Sequence, residues 1–128
     1  MKKIFIILIV CCLFLGGCGN STNKEKVDDH FITTEEVNKI SENINDETDT
    51  YIVDVRTADE YSAGHIKGSV NIPLDSIDDI DYSKSSKIIV YCRSGARSSE
   101  ALSTLISMGY TNVFDMGGII NYTYELEK

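Results

Sequence analysis

Lys87-Ile88-Ile89-Val90-Tyr91-Cys92-Arg93-Ser94-Gly95-Ala96-Arg97-Ser98 is the stretch on which the reading of this chain turns. Lys87 to Tyr91 is apolar and β-branched, a pattern of strand character. Ser99 to Met108, which follows, carries apolar residues at helical spacing and is closed by Gly109. A cysteine therefore opens a short loop between a buried strand and a helix N-terminus, in company with two arginines. Helix N-termini and nearby guanidinium groups both stabilise a thiolate. The arrangement suits a nucleophile that meets an anion.

Working outward, β and α patterns alternate on both sides of this stretch. Thr33 with Glu36 forms a capping box, and Ile32 and Val37 are spaced as a hydrophobic staple. Val37, Ile40 and Ile44 then make one apolar helix face. Tyr51 to Arg56 reads as a strand, and Ala58 to Ala63 as a short helix with Gly64 as its C-cap. Val70 to Ile72, before Pro73, is a short extended piece, and Leu74 to Ile80 a weak helical turn. Lys87 to Cys92 is the central strand, Ser98 to Met108 the main helix, and Thr111 to Asp115 a further strand. Gly117-Gly118 is expected to turn the chain into a last helix, Ile119 to Glu127. Such alternation predicts an α/β domain with a mostly parallel central sheet and helices on both faces. Chemistry in these sheets gathers at the carboxyl ends of strands, where Cys92 stands.

The N-terminus reads differently. Lys2 and Lys3 precede an apolar run, Ile4 to Leu15, that is too short for a comfortable membrane span of about 20 residues. It fits the apolar region of an export signal. Leu15-Gly16-Gly17-Cys18 resembles the bacterial lipobox, which implies cleavage before Cys18 and attachment of diacylglycerol to it. Residues 1–17 are thus expected to be a lipoprotein signal peptide and 18–30 a flexible polar tether, with the domain spanning 31–128. Localisation at a bacterial cell membrane follows, with the domain on the extracytoplasmic side. Cleavage removes Cys11 and Cys12 and lipidation consumes Cys18, so Cys92 is left without a disulfide partner.

Composition narrows the partners. The 128-residue chain carries a formal charge of −8, and loss of Lys2 and Lys3 takes it to −10. That balance argues against nucleic acid or an anionic membrane surface as a partner. Membrane attachment is expected from the lipid alone, and the protein is expected to be a monomer. No His, Cys and carboxylate cluster has metal-ligand spacing.

Two motifs then carry a family resemblance. Asp54-Val55-Arg56-Thr57-Ala58-Asp59-Glu60-Tyr61-Ser62-Ala63-Gly64-His65-Ile66-Lys67-Gly68-Ser69-Val70-Asn71-Ile72-Pro73 resembles the leading signature of the rhodanese, or thiosulfate sulfurtransferase, family. Cys92 to Ser98 resembles that family's active-site loop, with the nucleophile first, and Asp115-Met116-Gly117-Gly118 its closing double glycine. The likeness covers roughly residues 31–128. Family members often carry a tryptophan shortly after the double glycine; this chain has none, and Asn121, Tyr122 and Tyr124 lie there instead.

The resemblance implies a sulfurtransferase in which Cys92 takes the outer sulfur of thiosulfate or a related donor as a persulfide and passes it to a thiol or protein acceptor. Arg93, Ser94, Gly95, Ala96, Arg97 and Ser98 are expected to hold the donor, through backbone N–H groups curled around the sulfur and through the two guanidinium groups. No cofactor or metal is needed for this covalent exchange. Cys-x4-Arg is one residue shorter than the loop of rhodanese-like phosphatases, which disfavours phosphatase or arsenate reductase chemistry. An alternative from another class is a persulfide relay or redox-sensing module that serves a protein partner. Asp54, Arg56, Glu60 and His65 are expected to support the site structurally. Arg56 is expected to pair with Glu60 or with backbone carbonyls, Asp54 to accept neighbouring backbone N–H groups, and His65 to hydrogen-bond rather than act as a base.

Overall fold

The period-two alternation of Lys87–Cys92 (β4) divides the molecule into two cores in the computed structural model, which describes residues 29–128. Ile88, Val90 and Cys92 face one cluster with Val53, Val55, Ile77, Ala101 and Leu105. Ile89 and Tyr91 face the other, with Val37, Ile52, Ile66, Met116 and Tyr122. A strand buried on both faces needs cover on both, which is why its sequence is nearly all apolar.

That cover comes from α1 (Thr34–Asn43) on one face and α3 (Ala96–Ser107) on the other. The remaining elements are β1 (Thr50–Asp54), α2 (Ala58–Ala63), β2 (His65–Ile66), β3 (Ser69–Asn71), a 3₁₀ helix (Leu74–Asp79), β5 (Val113–Gly118), a 3₁₀ turn (Ile119–Asn121) and β6 (Leu126–Glu127). The main sheet has the order β3-β1-β4-β5, and all its pairings are parallel. This is the expected α/β architecture. Phe31–Lys128 forms a compact unit of its own. The signal segment, the cleavage site, Cys18 and most of the expected tether lie outside the described residues.

Local signals formed as anticipated where they were strongest. Thr33 caps α1 reciprocally with Glu36; a second box, Thr57 with Glu60 at α2, had not been expected. Strand and helix limits shift by a few residues. β1 begins at Thr50 and ends at Asp54, although Val55 N–H still donates to Tyr91 O at 3.0 Å. β5 runs on to Gly118, and α3 begins two residues early, at Ala96.

The last helix is the clear correction. Ile119 to Glu127 forms a single 3₁₀ turn and then β6, which pairs antiparallel with β2 through His65↔Glu127 and Ile66↔Leu126. The segment is rich in β-branched and aromatic residues of weak helix propensity. Its N-cap, Gly118, supplies no side-chain hydrogen bond. The free edge of β2, invisible in the linear sequence, gave the chain another way to satisfy its backbone.

Candidate active site

Cys92 is the last residue of β4, at the carboxyl edge of the sheet, and is 1% exposed. It is the free cysteine of the described residues. The loop after it turns sharply because Gly95 adopts φ +108°, a left-handed conformation that costs glycine little. Gly95 is also the N-cap of α3, so the helix points its N-terminus towards the sulfur.

The turn brings hydrogen-bond partners to the sulfur. Gly95 N–H donates to Cys92 Sγ at 3.0 Å, and the Cys92 thiol donates to the Ser98 hydroxyl oxygen at 3.6 Å. Ser98 is itself anchored, its hydroxyl donating to Gly95 O at 3.1 Å. Burial pushes the Cys92 thiol up, but the Ser98 hydroxyl and the N–H groups of Ser98, Gly95 and Ser94 outweigh it, so the thiol sits below its ordinary range. Arg93, Ser94 and Ala96 are exposed, whereas Ser98 is fully buried. The cradle is thus made of backbone N–H groups with one hydroxyl beside the sulfur.

The double glycine forms the second wall. Cys92 and Gly118 are partners across β4 and β5, beyond an irregularity at Val90/Tyr91. Ile120 N–H donates to Arg93 O at 3.3 Å and ties the two loops together. Asp115, which sequence reasoning did not single out as a site residue, is buried beneath them and accepts Gly117 N–H at 2.7 Å. Burial raises its carboxyl, while Ser98 and the Gly117 N–H act in the opposite direction. The signal was present in the Asp115-Met116-Gly117-Gly118 motif, but its link to Ser98 depends on the β4–β5 register.

The backbone contacts expected of Arg56, Asp54 and His65 are present, but the charge pairing differs. Arg56 does not pair with Glu60. Its guanidinium turns back on Asp54, with Nη2–Oδ2 at 2.6 Å and Nε at 3.0 Å from both carboxylate oxygens, and Nη2 donates to Gly64 O at 2.7 Å. Asp54 is fully buried, and a buried carboxylate without a counter-charge is far costlier than a half-exposed one such as Glu60. Asp54 also accepts Arg56 N–H at 2.9 Å, the kind of backbone contact anticipated for it. His65 Nδ1 lies 2.9 Å from Tyr61 O, and its ring stacks on Tyr61, which makes it a structural hydrogen-bonding residue.

Glu60 instead takes Arg97. Nη1–Oε1 is 2.7 Å and Nη2–Oε2 3.0 Å, a two-pronged pair across 37 positions of sequence. Arg97 holds the Glu60 carboxyl down at about 2. The two arginines of the loop therefore differ: among the described residues, Arg97 is committed to a carboxylate, and Arg93 is not. Beyond Arg97, a cleft of about 530 Å³ is lined by Val55, Leu74, Asp75, Asp78 and Glu100 among others; Cys92 is not in its wall. Among the described residues, no three His, Cys, Asp or Glu side chains converge to hold a metal ion.

Comparison with known proteins agrees with this geometry. The family described as "Rhodanese-like domain" matches residues 34–123. A rhodanese-like domain protein from Staphylococcus aureus is 31% identical, with a TM-score of 0.65 over 77% of this chain and 96% of that one. A rhodanese from E. coli, solved with anions, is 31% identical, with a TM-score of 0.57 over 62% of this chain and 98% of that one. A tRNA uridine(34) hydroxylase of Yersinia enterocolitica is 31% identical over 108 residues, which are 77% of this chain and 30% of that protein. The chain spans about a third of the length of such curated relatives.

Proposed function

This chain belongs to the rhodanese-like sulfurtransferase family, and from that premise we propose that it is an exported, lipid-anchored enzyme that moves sulfane sulfur through a persulfide on Cys92. The observation that carries the reading is the Cys92 sulfur at the floor of its loop, with Gly95 N–H at 3.0 Å and the Ser98 hydroxyl at 3.6 Å. Such a cradle favours the thiolate before reaction and the terminal sulfur anion after it.

The Cys92 thiolate attacks the outer sulfur of thiosulfate or a related donor. A new S–S bond forms at Cys92 as the donor's S–S bond breaks, and sulfite leaves with the electron pair of that bond. At 1% exposure, Cys92 meets only a terminal atom, which fits a sulfur at the end of a small anion. Arg93, exposed on the loop, is the cation proposed to meet the anionic portion of the donor. A thiol or protein acceptor then attacks the terminal sulfur and restores the thiolate, a two-stage covalent exchange.

The ordered N-terminal signals, Lys2-Lys3, Ile4 to Leu15 and Leu15-Gly16-Gly17-Cys18, support export and lipidation of Cys18. They support a cell-membrane location with the domain outside the cytoplasm. The tRNA reaction in the name of the Yersinia relative is not carried over, because a net charge of −8 opposes a phosphate backbone. The test is the intact mass of the protein after thiosulfate. A gain of one sulfur atom, lost again with cyanide and absent in Cys92→Ser, is expected. No gain, or a gain that persists in Cys92→Ser, refutes the reading.

A further inference from the structure

Resting on the sulfur-transfer reading, we propose that Glu60 sets the charge of the preferred donor: by engaging Arg97 it withdraws one of the loop's two cations from the anion at Cys92, and so selects a singly charged donor of the organic thiosulfonate class over the dianion thiosulfate. Both edges of the interaction are satisfied. Arg97 Nη1 and Nη2 meet Glu60 Oε1 and Oε2 at 2.7 and 3.0 Å, the planar fork that a carboxylate accepts best.

Glu60 is also held from behind. Its Oε1 accepts the Thr57 backbone N–H at 3.2 Å and the Thr57 hydroxyl at 3.1 Å, which fixes the carboxylate to the start of α2. The pair is therefore anchored to the scaffold on both sides, Arg97 through the first turn of α3 and Glu60 through the cap of α2. With its carboxyl held at about 2, Glu60 keeps its charge throughout the neutral range. The Arg97 guanidinium is raised chiefly by Glu60, with a lesser share from negative charge on Cys92. Paired with Glu60, it presents to the donor a dipole instead of a full positive charge.

The rest of the surroundings do not replace that charge. Arg93 forms no ion pair among the described residues, and it is left as the loop's uncompensated cation. On the outer side of Arg97, Asp75, Asp78 and Glu100 line the neighbouring cleft and add negative potential. The donor must approach a thiolate in this field. Thiosulfate brings two negative charges and leaves two on sulfite. A thiosulfonate brings one and leaves one on the sulfinate. In each case the Cys92 S–S bond forms as the donor S–S bond breaks and the leaving group departs with its electron pair. Repulsion between like charges scales with their product, so one cation and a ring of N–H groups match the monoanion better.

Glu60→Gln separates the two roles of the residue, because glutamine can still complete the capping box with Thr57 but carries no charge. The experiment compares kcat/KM for thiosulfate and for methanethiosulfonate in the parent, in Glu60→Gln and in Glu60→Gln/Arg97→Ala. The thiosulfate-to-thiosulfonate ratio is expected to rise about tenfold in Glu60→Gln through a lower thiosulfate KM, as a freed Arg97 turns to the dianion. It is expected to fall back in the double variant. In the parent itself, preference for the thiosulfonate should exceed that shown by a small free thiol in solution. A ratio unmoved by Glu60→Gln, equal losses for both donors, or a parent preference no greater than the free thiol's overturns the proposal. If neither donor adds a sulfur atom to Cys92 in the parent, the sulfur-transfer reading itself falls, and the proposal with it.

Discussion

Gly118 lies so close beneath Arg93 that a Cβ on it would collide with the Arg93 carbonyl oxygen and stand 2.9 Å from Ser94 Cα. The obstacle is backbone and cannot swing aside. Gly118→Ala is therefore expected to push the Cys92 loop outward, which separates the N–H groups from the sulfur. Sulfur loading from thiosulfate should fall at least about tenfold, and stability by about 1–3 kcal/mol. Urea unfolding and loading rates measure the two effects separately.

Ser98→Ala removes the hydroxyl beside Cys92 and leaves the burial in place. Burial raises a thiol and Ser98 lowers it, so the thiol is expected to move up. The pH midpoint for alkylation by iodoacetamide should rise, and the rate at neutral pH should fall about tenfold. An unchanged midpoint would remove Ser98 from the account of thiolate stability.

Arg93→Ala is expected to slow the anionic donor half-reaction and to spare alkylation by a neutral reagent. A charge-assisted contact contributes about 1.5–3 kcal/mol, or roughly ten- to hundred-fold in rate. Stopped-flow measurement of sulfite release against iodoacetamide inactivation distinguishes a binding role from general damage to the loop.

Asp54→Ala removes the counter-charge of the buried Arg56 guanidinium and leaves it Gly64 O at 2.7 Å and the face of Tyr91. Breaking a buried pair on one side costs about 3–5 kcal/mol. The variant should unfold at markedly lower urea. Asp54→Leu/Arg56→Met should recover much of the loss, since it removes both charges together.

The Glu60–Arg97 pair has its own pH signature. The folded Glu60 carboxyl is depressed from 4.5 to about 2, so its stabilisation is fully present above the unfolded value and disappears as pH falls through the folded one. The stability difference between the parent and Glu60→Gln should be constant above about pH 5 and shrink between 4.5 and about 2. Both side chains are about a third exposed, so solvent screening holds the difference to about 1 kcal/mol or less. Urea midpoints across that pH range give the curve directly.

How much of this was legible beforehand depends on the range of the interaction concerned. The unbroken apolar run Ile88-Ile89-Val90-Tyr91 identified a buried strand, and parity along it assigns its side chains to the two cores. The Thr33–Glu36 cap closes within one helical turn, and it formed as read. Cys92 at a strand end before a helix, with glycine in the turn, was enough to locate the candidate nucleophile. These features arise from groups a few residues apart, whose geometry the backbone dictates.

Partner choice was a different matter. Sequence spacing pointed Arg56 to Glu60, four residues on, or to backbone carbonyls, and not to Asp54, two residues back. Burial decided, since Asp54 lies under the sheet edge and could not remain without a counter-charge. Glu60 was then free for Arg97, 37 positions along, once β1 and β4 had paired and brought their loops together. The same holds for Leu126–Glu127, which joined the edge of His65–Ile66 instead of closing a helix. The residue order by itself determined the strands of the main sheet, its principal covering helices and the candidate reactive sulfur, but not the C-terminal segment. Which charges cancel around that sulfur was decided only by the tertiary fold, because electrostatic pairing depends on distance in space and on burial, and neither is a property of sequence separation.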